Sequence, residues 1–140
     1  MKDSERKIEW SDALSMFNPQ IDEEHKHLIA LVNELNDAIA SHRRDKADIV
    51  RIMGLILEDT VAHFVHEENL FIVKGYPEVF VHSQSHAALV STIEQALKEI
   101  QNTEFSSRWV EIGLTIRDQF VGHIVNEDVR YVEYLRTKQS

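Results

Sequence analysis

Four stretches of this chain repeat their seam residues at spacings of three and four, and that rhythm leaves few folds open. The first carries Ile21, His25, Leu28, Val32, Leu35 and Ile39, and the second Ile49, Met53, Ile56, Thr60, His63, Glu67 and Leu70. The third runs through His82, His86, Leu89, Ile93, Leu97 and Ile100. Trp109, Ile112, Ile116, Phe120 and His123, then Asp128, Tyr131 and Leu135, make the fourth. This spacing draws a stripe along each helix, and such stripes pack against one another as a left-handed bundle.

The residues between the stretches agree. Asn18-Pro19 offers a capping side chain and then proline at a first helical position, where its missing N–H costs nothing. Ser41-His42-Arg43-Arg44 puts positive charge at the carboxyl end of the first helix, and Asp45 can cap the second. Gly75-Tyr76-Pro77 ends the second helix and opens the third, and the polar link from Gln101 to Ser107 precedes the fourth. Links this short join antiparallel neighbours. The expected fold is all-α, an up-down-up-down antiparallel four-helix bundle over residues 18–137. Residues 1–17, polar at first and then carrying Ile8, Trp10, Leu14 and Phe17, are too irregular for a helix and read as an N-terminal arm laid on the body. Residues 1–140 then make a single domain.

Four glycines and two prolines in 140 residues are too few for an all-β fold, and 43% apolar content supplies a core without staples. A net charge of −9 argues against nucleic acid or an anionic membrane as partner. The start Met1-Lys2-Asp3-Ser4-Glu5-Arg6-Lys7 has no apolar run behind it, and no 18 apolar residues follow one another, so the expected location is cytoplasmic. The absence of cysteine excludes thiolate sites, leaving nitrogen and oxygen to hold any metal.

Five histidines lie on the stripes: His25, His63, His82, His86 and His123. His25 starts an upward helix and His63 nears the end of a downward one. His82 and His86 begin the third helix, and His123 lies toward the end of the fourth. All five therefore reach one end of the bundle. Glu67 follows His63 by one turn on the same face. Burying such a set without a metal would leave polar groups and charges unpaired, at a cost on the order of several kcal/mol. Imidazole and carboxylate suit iron, manganese or zinc. In the fourth helix, Glu127 shares the face of His123, whereas Asp128, five residues on, points about 140° away in a regular α-helix. His27, His42 and His66 lie off the stripes and read as solvated or surface-packing, Glu68 like His66 reads as a bystander to the site, and Asp22-Glu23-Glu24 reads as an acidic first turn favoured by the helix dipole.

With these residues assembled, the sequence resembles the hemerythrin family, specifically its single-domain bacterial members. The likeness is carried by Trp10, Ile21-Asp22-Glu23-Glu24-His25, His63-Phe64-Val65-His66-Glu67-Glu68, Gly75-Tyr76-Pro77, His82 with His86, and His123-Ile124 followed by Asp128. The resemblance implies reversible O2 binding, for storage, delivery or sensing, at two non-haem irons with an oxo or hydroxo bridge. It implies His82, His86 and His123 on one iron, His25 and His63 on the other, and Glu67 and Asp128 bridging them. It also selects Asp128 over Glu127, which requires a one-residue bulge after His123 to turn the later residues inward.

Leu28, Thr60, Phe64, Phe120 and Ile124 are the candidates for the apolar surroundings of such a site. Two departures from the family pattern bear on that pocket: Gln119-Phe120 where tryptophan is common shortly before the histidine, and Glu24 where glutamine is usual. A di-iron redox enzyme of oxidase, peroxidase or nitric oxide reductase type is the competing expectation, and an iron or zinc reservoir a third. Ferritin-like oxidases use two Glu-x-x-His motifs. Only Glu24 to His27 matches here, with His27 off the stripe, and the histidine-rich donor set favours binding over turnover.

Overall fold

Asn18 opens the first long helix by accepting the Ile21 amide on its side-chain oxygen at 3.1 Å, with Pro19 next in line. In the computed structural model, which describes residues 7–138, this helix, α1, covers Pro19–Ala40. Asp45 caps α2, Lys46–Val73, through the Ala47 amide. Gly75 ends α2 with a φ of 68°, the left-handed value that favours glycine. The Tyr76 amide then closes back onto the Phe71 carbonyl and the Gly75 amide onto that of Ile72. Pro77 and Glu78 stay in a turn, so α3 covers Val79–Asn102 and begins slightly later than the proline suggests. Ser106 caps α4, Ser107–Gly122, through the Arg108 amide.

The fourth rod continues past Gly122 but changes its hydrogen bonding. His123–Asp128 is π-helical, and α5, Val129–Lys138, resumes the regular ladder. This is the bulge that Asp128 requires. In a π segment each bond spans five residues instead of four. Residues five apart, His123 and Asp128, therefore take up the relation that residues four apart have in an α-helix.

α1 packs against α2 and α4, and α3 against α2 and α4, giving the four-membered ring of an antiparallel bundle. Two apolar clusters fill it. The larger includes Val32, Leu35, Ile49, Met53, Ile56, Ile93 and Ile116, each Leu or Ile side chain contributing about 1.5–3 kcal/mol on full burial. The smaller closes one end of the bundle with Met16, Ile21, Phe71, Tyr76, Tyr131 and Val132. The five stripe histidines, Glu67 and Asp128, all buried, come together toward this smaller cluster.

The arm does lie on the body from Lys7 onward; its polar start, Met1 to Arg6, is outside the described residues. Ile8 exchanges both its backbone groups with the Asn33 side chain, donating to Oδ1 at 2.8 Å and accepting from Nδ2 at 2.9 Å. A 3-10 turn at Asp12–Leu14 interrupts the irregular stretch. Asp22 corrects the sequence reading, because it clamps the arm instead of merely favouring the helix dipole. Its carboxylate accepts from the Ser15 hydroxyl at 2.6 Å and the Met16 amide at 2.7 Å. Phe17 turns the chain into α1 with a φ of 55°, a strained value for an aromatic residue. Among the described residues no helix is long and apolar enough to cross a membrane.

Candidate metal centre

Helix geometry delivers the side chains, one turn at a time. His63 and Glu67 stand four apart on α2, and His82 and His86 four apart on α3, so each pair faces the axis together. α1 contributes His25, and the π segment contributes His123 and Asp128 at its two ends. All seven sequence-predicted residues come together. Glu127, which regular periodicity prefers, is half-buried outside the cluster and lies 3.9 Å from Arg130.

The two carboxylates divide the five imidazoles. Glu67 Oε1 lies 2.9 Å from His82 Nε2, 3.0 Å from His86 Nε2 and 3.8 Å from His123 Nε2. Its other oxygen, Oε2, lies 3.1 Å from His63 Nε2 and 3.5 Å from His25 Nε2. Asp128 repeats the division: Oδ1 is 2.9 Å from His82 and 3.2 Å from His123, while Oδ2 is 3.3 Å from His25. Two nests of donor atoms result, one from Glu67, His82, His86, His123 and Asp128, the other from His25, His63 and Glu67, each tight enough to hold a metal ion.

The donor set fits a cation better than it fits itself. His25 Nε2, His63 Nε2, Glu67 Oε2 and Asp128 Oδ2 are buried with no hydrogen-bond partner among the described residues, although they point at one another. In the other nest, His86 Nε2 and His123 Nε2 converge to 3.1 Å. Lone pairs aimed at a common point, with too few protons between them, are a metal's coordination geometry.

Protons fill the gap in the metal-free protein. Burial alone would lower the His25 pKa, but the carboxylates of Asp128 and Glu67 facing its ring raise it to about 9. The same balance lifts His123 to about 10 and raises His82. For Glu67, burial pushes upward, yet the surrounding imidazoles hold it well below the usual carboxylate range. Asp128 is also lowered, against burial and the Glu67 charge, by His123, His25 and His82. Metal binding must displace these protons.

Outer contacts correct the reading of the neighbouring charges. Glu24 is not simply part of an acidic first turn: its Oε1 takes His63 Nδ1 at 2.8 Å and its Oε2 takes His66 Nδ1 at 2.6 Å. Glu68, one residue beyond Glu67 and turned toward α3, takes His86 Nδ1 at 3.1 Å. Ser85 Oγ lies 3.4 Å from His123 Nδ1. A carboxylate on Nδ1 fixes the tautomer that turns Nε2 inward and makes the ring a stronger donor. His66 and Glu68 are thus not bystanders, whereas His27 is exposed and pairs with Asp59 at 2.9 Å, and His42 is exposed. The sequence signal for Glu24 was its antiparallel register with His63, which needs the α1–α2 packing to be read.

Aromatic rings close the site on both sides. Phe64 stacks on His86 with centroids 3.7 Å apart and planes 4° from parallel, and its ring centroid is 5.4 Å from that of His123. Phe71 meets His82 edge-on at 4.7 Å and continues into Tyr76 and Tyr131.

Comparison with known families settles the lineage. The family described as the hemerythrin HHE cation binding domain matches residues 16–135. The chain belongs to the hemerythrin family. It is 28% identical over 131 residues to the bacteriohemerythrin of Pseudomonas aeruginosa, covering 94% of this chain and 83% of that one. It is 24% identical to the myohemerythrin of Theromyzon tessulatum over 125 residues, 88% of this chain and 89% of the relative. The crystal structure of wild-type hemerythrin superposes with a TM-score of 0.78 at 25% identity, over 90% of this chain and 95% of that chain. Membership places the chain among non-haem iron proteins that bind O2, and a hemerythrin domain implies a di-iron site.

Proposed function

We propose that this protein binds O2 reversibly at a di-iron centre held by His25, His63, Glu67, His82, His86, His123 and Asp128, as an O2-storing, -delivering or -sensing protein of the cytoplasm and not as an enzyme. The observation that carries the reading is the division of the carboxylates. Glu67 offers one oxygen to the three-histidine nest and the other to the two-histidine nest, and Asp128 does the same, as residues bridging two cations about 3.5–4 Å apart would. When bound, the iron pair would supply the electrons for reversible O2 uptake, and a hydroxo bridge the accompanying proton.

The chain's own residues set the terms of that exchange. Three imidazoles on one side and two on the other leave the His25–His63 side with fewer protein donors, and so with room for a small ligand. Glu24 and Glu68 hold His63 and His86 in register from outside. Phe64 and Phe71 keep water and stray protons from the donor atoms.

Anaerobic loading with ferrous iron followed by O2 tests the reading. The expected result is two irons per chain and a visible charge-transfer band that appears with O2 and vanishes on deoxygenation. Irreversible bleaching, sustained turnover, or a preference for a redox-inactive metal would overturn it.

A further inference from the structure

Outside the seven candidate ligands, the only buried side-chain polar atom without a hydrogen-bond partner among the described residues is Thr60 Oγ1. Thr60 is fully buried. A threonine inside a helix ordinarily satisfies its hydroxyl by donating to the carbonyl four residues back, as Thr92 does to Ala88 at 3.1 Å. Thr60 makes no such bond to Ile56. A buried hydroxyl left in this state destabilises the fold, so its partner is to be sought beyond the chain.

Its position says what that partner is. Thr60 stands on the inward seam of α2 between Ile56 and His63, three residues from His63 and hence about 4.5 Å from it along the helix axis. The cross-helix pairs His27–Asp59 and Glu24–His63 set the α1–α2 register. They put Thr60 level with the segment His25 to Leu28, on the core side of the two-histidine nest. The surrounding seam residues Leu28, Ile56 and Phe64 are apolar and belong to the main core. Thr60 thus brings a hydroxyl to the side of the centre that has the fewest protein donors.

We propose that Thr60 is the hydrogen-bond donor to the small electron-rich ligand that binds beside His25 and His63, dioxygen being the ligand under the function proposed above, on which this inference rests. Donation from Oγ to the outer atom of a ligand that has gained electron density retains the ligand and slows its release. The unpartnered hydroxyl is the strain that the metal-free protein carries in exchange.

Two variants and two readouts test this. Thr60→Val keeps the shape and removes the hydroxyl; Thr60→Ser keeps the hydroxyl. In the metal-free protein, Thr60→Val is expected to melt higher than wild type, because it deletes an unsatisfied group. In the iron-loaded protein, followed by stopped-flow deoxygenation, it is expected to release O2 roughly three- to tenfold faster, the effect of one net hydrogen bond, with Thr60→Ser restoring the slow release. A lower melting temperature for metal-free Thr60→Val would show a hydroxyl already paired within the protein and overturn the inference. Wild-type O2 binding with unchanged release from Thr60→Val would overturn the inference alone. Failure of the iron-loaded wild type to bind O2 would overturn both this inference and the proposed function.

Discussion

Replacing Glu67 by glutamine keeps the shape of the side chain and removes the charge at the centre of the cluster. In the metal-free protein His25 is raised from 6.5 to about 9 and His123 to about 10, because the two carboxylates outweigh burial, which would lower both. Asp128 is the larger contributor to both. Removing the Glu67 charge breaks its buried pairs with these imidazoles, at a cost of about 3 kcal/mol. For histidines raised in the folded state, this stabilisation is complete below the unfolded pKa near 6.5 and fades as pH climbs through about 9 to about 10. Metal-free Glu67→Gln is expected to melt about 10 °C below wild type at pH 6, with the gap closing by pH 10.5. Calorimetric melting of both chelator-treated proteins across that range is the assay. A gap of the same size at pH 6 and pH 10.5 would refute the assignment of these shifts to Glu67, since a packing defect does not titrate. The variant should also hold fewer than two irons.

Three further expectations follow from particular contacts. Glu24→Gln removes the anion from His63 Nδ1 and should weaken iron binding roughly 10- to 100-fold, measured by chelator competition; unchanged affinity would make the 2.8 Å contact incidental. Deleting the half-exposed Val125 from the π segment sets His123 and the aspartate four apart, so a regular helix should form with both still inward. Iron content should survive, with the metal-free melting temperature within about 5 °C of wild type, and loss of iron would disprove the one-residue account. Gly113→Ala should cost about 1–3 kcal/mol in denaturant unfolding. A Cβ there would sit 2.4 Å from Asn36 Oδ1 and 3.1 Å from Ile39 Cδ1, and buried Asn36 is held by its bonds to the Val32 and Gly113 carbonyls. A loss below about 0.5 kcal/mol would mean that Asn36 can move aside.

The four rods, the end signals Asn18, Asp45 and Gly75, and the convergence of five histidines with Glu67 toward one end were legible in the chain itself. Their cause is local: a stripe at spacings of three and four, Asn18-Pro19, Asp45 and Gly75 each act within one helical turn. Antiparallel order then follows from short links. The fourth rod is where local reasoning misleads. Regular periodicity selects Glu127, resemblance to hemerythrins selects Asp128, and the π-helical His123–Asp128 is the physical reason the second choice joins the cluster.

What only the tertiary structure decided lies across helices. Glu24 reaches His63 and His66 because α1 and α2 pack in one register out of several that their stripes allow, and Glu68 reaches His86 because α3 lies on that side of α2. Asn33 and Asp22 become clamps for the arm through contacts with residues 8, 15 and 16 that no periodicity describes. The division of each carboxylate between two sets of imidazoles also requires all four rods at once. Sequence by itself determined which faces turn inward, since covalent helix geometry is the same everywhere along the chain. Which atoms then meet was left to packing, because side chains from separate helices share a place only after the backbone has brought them within about 3 Å.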